Sequence, residues 1–463
     1  MKQILITLED LFNLPGATIY NPDVYLPVKS VSIDSRTTIP GSLFIAIEGE
    51  KYDGHDFVLA ALKKGAAAIM INEKVIQRFY KLNVPFITVK NTVDSLGHLA
   101  AIWRSRLNAK VIGITGSSGK TSTKDILADI LSVKFRVNKT IANNNNHIGV
   151  PLTIFSTKAE HQILIAELGT NHFGEIGYTA PILNPDYALI TNIGRAHIKY
   201  LKNKKKILQE KSDLFIAARK NKGKIFINND DPMLRDYGKK LKGKISYGFA
   251  ERSRIKGKIL SYDKLGRPDL MIKHPGGEIR VNLPLAGEQN AKNFLAAAAV
   301  AVTLGVNNKD IERSVKKINP TPNRLNVLNY KKFVLIDDSY NSSPDSIRYA
   351  FELLNKITVY PRKVVVLGDM LELGREAIRI HQNLAQSIRK NSITEVYTYG
   401  ALMKHLHEAL KGSRITSRHF RERKSLKRFI AAKDFSGSVI LVKGSRSMKM
   451  EDFVESFKRR AVK

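Results

Sequence analysis

Lys120 and Thr121 close a run of small residues, Gly113-Ile-Thr-Gly116-Ser117-Ser118-Gly119-Lys120-Thr121-Ser122. The run stands between a buried-strand pattern, KVIGIT at 110–115, and a helix-like segment. Strand, glycine-rich turn, Lys-Thr and helix in that order suit a nucleoside triphosphate. Glycines let backbone N–H groups approach phosphate oxygens, and a helix start adds partial positive charge. Lys120 is placed to neutralise the β- and γ-phosphates, and the Thr121 hydroxyl to ligate Mg²⁺. Strict Walker spacing asks for glycine where this chain has Ile114.

Two further strand-like runs, 161–166 and 187–193, end near Glu167 and His197. Ligands of open α/β sheets gather at the carboxyl ends of strands, so both side chains are candidates to face the same triphosphate. A carboxylate and an imidazole there suit a divalent cation that keeps several waters. The bland alternatives are a surface glutamate and a capping or core histidine. Lys211, in QEKSDLF, reads on its own as a solvated helix lysine.

The elements that must carry these residues fall into three blocks: 1–108, 109–319 and 320–463. The first mixes short apolar runs with turn-rich stretches and a helix at 94–107. The second opens with the phosphate-type turn, becomes strand-like between 224 and 284, and ends in an alanine-rich helix at 290–304. The NPTPN stretch at 319–323 reads as a linker. Beyond it, apolar runs at 333–336, 363–367, 395–399 and 438–442 alternate with helical segments, the pattern of a parallel, doubly wound sheet. The expected class is α/β: a small first domain, a central P-loop-type domain with a mostly parallel sheet, and a Rossmann-like third.

The chain has 463 residues, and no cysteine excludes disulfides and thiolate metal sites. Glu9 and Asp10 fall where a signal peptide needs its apolar core. The most apolar run, 294–304, is far short of the roughly 20 residues of a membrane span. A cytoplasmic protein without membrane insertion is expected. The 76 Lys and Arg against 42 Asp and Glu give a net charge of +34. That excess raises nucleic-acid binding, yet it is spread along the chain, apart from KNKKK at 202–206, with no zinc-finger, RNP or basic-zipper pattern. Nucleic acid is not expected as the main partner; a polyanionic nucleotide substrate accounts for part of the charge.

ITGSSGKTSTK resembles the nucleotide loop of the Mur ligase family, whose own pattern departs from strict Walker spacing. ANNNNHIGVPLT (142–153), AELGTNH (166–172) and ITNIGRAH (190–197) follow at similar distances. IDDSYNSSPDS (336–346), VLGDMLELG (366–374) and LVKGSRSMKME (441–451) resemble the branch that adds D-alanyl-D-alanine. Residues 34–57 look like the family's UDP-binding domain.

The resemblance implies ATP and two Mg²⁺ ions as cofactors. It gives Gly116, Ser117, Ser118, Gly119, Lys120, Thr121 and Ser122 to the phosphates, Thr121 and Glu167 to one Mg²⁺, and His197 to the second. Lys211 matches a lysine carbamylated by CO₂ that bridges the metals; Lys120, His197 and Lys211 make up the implied catalytic set. Asn290 falls near the adenine, with Arg324 and Asp338 closing over the nucleotide. Ser35 and Arg36 belong to the UDP-binding stretch, and Asn341, Ser342 and Asp345 to the region meeting the dipeptide. Ser343-Pro344 also reads as a helix N-cap and first turn. Two departures stand out: Gln289 replaces the family's histidine before the adenine-side asparagine, and the stretch after His197 is basic, although the His197–Lys211 separation is kept.

The expected function is an ATP-dependent ligase, working as a monomer, that joins D-alanyl-D-alanine to UDP-N-acetylmuramoyl-tripeptide through an acyl phosphate in peptidoglycan precursor synthesis. The alternatives are another Mur-type amino-acid ligase, a folylpolyglutamate-type ligase, a catalytically silent relative, and a basic nucleic-acid-binding ATPase.

Overall fold

The computed structural model describes residues 4–195 and 198–462. Among these residues the strands form three sheets, in chain order. The first orders Thr18–Tyr20, Phe86–Val89, Ala68–Asn72, Leu43–Ile45 and Val31–Ser32, parallel except for the first pair.

The second sheet has nine strands. Its parallel centre runs Ile245–Gly248, Lys224–Asn228, Tyr187–Ile190, Lys110–Thr115, Ile163–Glu167 and Val137–Lys139. Ile255–Tyr262 joins this array in parallel, and Pro268–His274 and Gly277–Asn282 follow it as antiparallel strands. The central strands are buried on both faces and read as nearly unbroken apolar runs, as parallel strands under helices must.

The third sheet orders Asn326–Asn329, Phe333–Asp338, Ser438–Lys443, Arg362–Gly368, Glu395–Tyr399 and Thr416–Phe420. Its first pair is antiparallel and the rest parallel. Two of these strands escape an apolar-run reading. Asn326–Asn329 (NVLN) is half-buried, and Thr416–Phe420 (TSRHF) is a polar edge strand.

One apolar core joins the first sheet to a face of the central one through the Thr92–Ser105 helix. Trp103 donates its indole N–H to the Thr157 carbonyl at 3.1 Å. Arg104, buried in the same helix, donates to the Leu183 carbonyl at 2.9 Å and pairs with Asp186. The linker into the third domain is held to the central one where the Thr321 hydroxyl donates to Asp125. Among the described residues no helix is long and apolar enough to cross a membrane.

Candidate functional site: a cleft between the central and third domains

The turn after Lys110–Thr115 is shaped by two glycines. Gly116 has φ +149°, and a Cβ there would lie 1.9 Å from Thr191 Oγ1. Gly119 has φ +79°, and its Cβ would lie 2.5 Å from Asn293 Oδ1. Neither position tolerates a side chain, which is the sequence requirement read as a glycine-rich loop. The neighbouring strand end pins the loop. Thr191 Oγ1 donates to the Ser118 carbonyl at 2.6 Å, and Ser118 N–H donates to Asn192 Oδ1 at 3.1 Å. The Lys120–Leu131 helix starts at once, and Lys120 Nζ donates to the Gly116 carbonyl at 2.9 Å.

Register on the sheet sets Glu167 beside this turn, because Ile114 pairs with Glu167 across neighbouring parallel strands. Glu167 is the last residue of its strand and is buried. Asn145 Nδ2 donates to its Oε1 at 2.9 Å, while Lys124 Nζ stands 3.9 Å from Oε2. Among the described residues Oε2 has no hydrogen-bond partner. A buried carboxylate oxygen without a donor is costly unless something else satisfies it. Sequence reading passed over Lys124 and Asn145. Lys124 is one of the largest fully buried side chains, and its hydrogen bond to the Thr140 carbonyl (2.8 Å) holds its ammonium near Glu167.

These residues line a cleft of about 430 Å³. Ser117, Ser118, Gly119, Lys120, Thr121, Ser122, Glu167 and Asn290 face it from the central domain; Arg324, Asp338, Asn341 and Ser342 face it from the third. Gly116 shapes the loop from behind. Asn290 is buried, its Nδ2 donating to the Ala286 carbonyl at 2.8 Å. Arg324 lies over the Tyr340 ring at 4.0 Å, and Arg446 over the same ring at 5.3 Å. Tyr340 and Arg446 thus join the expected set; their signal, the IDDSYN and KGSRS motifs, lies in the sequence but not their stacking. Ser342 Oγ is buried and unpartnered among the described residues.

Asp345 lines an adjoining cavity of about 180 Å³ rather than the larger cleft. Its Oδ2 accepts the Arg195 N–H at 2.8 Å, so the third domain's carboxylate grips a central-domain loop. Ser343 and Pro344 act as the structural reading expected, capping and opening the Pro344–Lys356 helix. Thr123 Oγ1, Tyr247 Oη and Gln289 Oε1 also line the smaller cavity, and each is buried and unpartnered among the described residues. Ser35 and Arg36 lie in the first domain, outside the cleft lining; Arg36 is exposed and bidentate to Asp34. His197 lies outside the described residues.

Lys211 is 3% exposed, far from the solvated lysine its local sequence suggests. Burial pulls its amine down to about 7, the nearby Lys120 charge pulls the same way, and Glu210 opposes both. Burial likewise lowers Lys120, with Glu167 opposing and Arg324 reinforcing. Glu210 was not foreseen. It is fully buried and accepts the N–H groups of Gly174 (2.6 Å) and Ile176 (2.8 Å), fixing the loop that brings Asn171 and Glu175 to the cleft.

Three family models match the chain: "Mur ligase family, catalytic domain" over residues 27–104, "Mur ligase middle domain" over 114–301, and "Mur ligase, glutamate ligase domain" over 323–446. The UDP-N-acetylmuramoyl-tripeptide–D-alanyl-D-alanine ligase of Buchnera aphidicola (Baizongia pistaciae) is 35% identical, covering 93% of this chain and 92% of that one. The protein of the same name from Escherichia coli is 32% identical over 98% of both. Among solved structures, MurF from Acinetobacter baumannii superposes with a TM-score of 0.87 at 29% identity, covering 97% of this chain and 98% of that one. The Thermotoga maritima MurF ligase in complex with ADP gives 0.81 at 27% identity, covering 93% and 97%. With its three matched segments and near-full-length relatives, the chain belongs to the Mur ligase family.

Proposed function

We propose that this chain is the ATP-dependent ligase that joins D-alanyl-D-alanine to UDP-N-acetylmuramoyl-tripeptide, forming an amide bond through an acyl phosphate. The observation that carries the reading is the cleft itself, in which the phosphate-type turn and Glu167 of one domain meet Arg324, Asp338, Asn341 and Ser342 of another. The near-full-length relatives bearing that name support the same substrates.

A carboxylate is a poor acyl donor to an amine, so one of its oxygens must first be made a leaving group. The tripeptide's terminal carboxylate attacks the γ-phosphorus of ATP, and ADP leaves. The dipeptide amine then attacks the acyl carbon, and phosphate departs from the tetrahedral intermediate. In such transfers the protein supplies position and charge. Lys120 offsets phosphate charge, and the loop N–H groups orient the phosphates. Arg324 and Asp338 hold the nucleotide from the third domain, near Asn290. Asn341 and Ser342 receive the dipeptide, to which Ser342 Oγ, unpartnered among the described residues, offers a hydrogen-bonding group. Asp345 contributes by docking the third domain. Ser35 and Arg36 serve the UDP end of the acceptor. Closure around the cleft keeps water from the acyl phosphate.

The donors fit Mg²⁺. Thr121 faces the cleft, and among the described residues Glu167 Oε2 lacks a hydrogen-bond partner and no three His, Asp or Glu side chains converge. Such a set leaves most positions to phosphate and water, as Mg²⁺ prefers. When bound, the ion neutralises charge developing on the phosphates. His197 is assigned to a second Mg²⁺. Lys211 fits carbamylation, since only a neutral amine adds CO₂ and its amine is held down to about 7. Both nucleotide and dipeptide groups come from one chain, which supports a monomeric working unit.

Incubation with ATP, UDP-N-acetylmuramoyl-tripeptide and D-alanyl-D-alanine, followed by mass spectrometry, tests the proposal. The expected product is the tripeptide nucleotide plus the dipeptide less one water, with ADP formed in equal amount. A single amino acid accepted in place of the dipeptide, with the dipeptide refused, would assign another member of the family.

A further inference from the structure

A second hollow, of about 910 Å³, opens at the opposite edge of the central sheet from the phosphate turn. It lies where the strands Lys224–Asn228, Ile245–Gly248 and Ile255–Tyr262 begin, against the last turn of the Glu288–Thr303 helix. Asn290, in that helix's first turn, lines the cleft, and Val302 lines the hollow. At 1.5 Å per residue they stand roughly 18 Å apart, so the two spaces are separate.

The floor is apolar: Ile245, Ile255 and Val306 are buried there. The rim is cationic, with Lys224, Arg254, Lys309 and Arg313 all exposed. Among the described residues Lys224, Arg254 and Lys309 form no ion pair. The single lining carboxylate, Asp310, accepts the Asn307 amide at 2.6 Å and lies 3.6 Å from Arg313, so it is already engaged. His274 forms one wall. Its Nδ1 accepts the Gly276 N–H at 3.1 Å, and its Nε2 lies 2.9 Å from Asn308 Oδ1.

We propose that this hollow binds an organic polyanion with a flat apolar body, an aromatic phosphate of mononucleotide size. Apolar floor and free cations are complementary to the two halves of such a ligand. The volume falls in the range of ligand sites, about 300–1,000 Å³. A small aromatic phosphate would use both the apolar floor and the cationic rim, whereas a duplex would meet the rim alone. It is independent of the ligase reading, because no cleft residue takes part.

Pyridoxal 5′-phosphate is a suitable probe, since its phosphate and ring match the site and its aldehyde condenses with a lysine amine, releasing water. The full chain, with ADP saturating the cleft, is treated with the probe, reduced with borohydride and mapped by mass spectrometry. Lys309 or Lys224 should be labelled about tenfold faster than Lys404, an exposed lysine of the third domain, a difference worth about 1.4 kcal/mol. The Arg254→Glu/Arg313→Glu variant should bring that labelling down to the Lys404 rate, while the charge-matched Arg421→Glu/Arg428→Glu variant leaves it unchanged. Equal labelling of the three lysines, or an equal loss in both variants, would overturn the proposal in favour of diffuse attraction to a basic surface. So would protection by a short DNA duplex at lower concentration than by AMP.

Discussion

Lys443 Nζ lies 2.5 Å from Asp338 Oδ2, with both side chains buried at the ends of neighbouring parallel strands. The same ammonium donates to the Asn341 carbonyl at 2.9 Å, and Asp338 Oδ1 accepts the Leu325 N–H at 3.2 Å. One cation therefore joins the Asp338 carboxylate, the turn at Asn341 and, through Asp338, the chain leaving the linker.

Breaking that pair strands a buried charge. Lys443→Met should destabilise the third domain by about 3–5 kcal/mol, the usual cost of removing one partner of a buried ion pair. Lys443→Met/Asp338→Asn should recover much of that loss in urea unfolding yet remain poorly active, because the turn at Asn341 has lost its anchor. Full activity in the double variant would mean that the pair is only a packing device.

Among the described residues the Lys120 side chain makes one hydrogen bond, to the Gly116 carbonyl. Lys120→Met should leave the unfolding midpoint nearly unchanged while lowering kcat by about 10²–10³, the scale for removing a group aimed at transition-state charge. Steady-state kinetics beside thermal unfolding separates the two effects.

For Lys211 the pH dependence of stability has a definite sign. Its folded amine titrates at about 7, whereas an unfolded lysine titrates near 10.4. Below about 7 both states are protonated, and the cost of burying the charge is fully felt. Between about 7 and 10.4 the unfolded state binds more protons, so this group makes stability rise with pH. Lys211→Met should flatten that rise and be no less stable at pH 7, yet inactive. A ¹³C-bicarbonate NMR spectrum should show a carbamate signal in the parent chain and none in the variant.

Asp345 Oδ2 would lie 2.6 Å from a Cβ placed on Gly194, and Ser117 Cβ 3.2 Å from it. Gly194→Ala should therefore push the third domain off the central loop. Small-angle scattering should show a larger radius of gyration, and Asp345→Ala in the same background should relieve part of the strain. An unchanged radius would show that the loop yields instead.

What could be read in advance was chemistry carried by contiguous residues. The phosphate turn declares itself because two glycines, a lysine and a threonine must be adjacent. The strands from Phe333–Asp338 to Ser438–Lys443 declare themselves because burial on both faces demands apolar runs. Long-range partners leave no such trace. Lys124 and Glu210 look like surface charges in a lysine-rich chain until the sheet and the following helix bury them beneath Glu167 and the loop at 170–176. The family resemblance gave Asp345 to the dipeptide region but carried no sign that the start of the Pro344–Lys356 helix would set its carboxylate against the Arg195 N–H. The edge strand Thr416–Phe420 is polar because it lacks a neighbour on one side, which erased the apolar signal.

The central claim is that the tripeptide carboxylate is phosphorylated before the dipeptide attacks it. The most direct measurement supplies UDP-N-acetylmuramoyl-tripeptide carrying ¹⁸O in its terminal carboxylate and follows the label during turnover with ATP and D-alanyl-D-alanine. The account predicts one ¹⁸O in each phosphate released, with release depending on both co-substrates. Unlabelled phosphate, or release that proceeds without the tripeptide nucleotide, would contradict it.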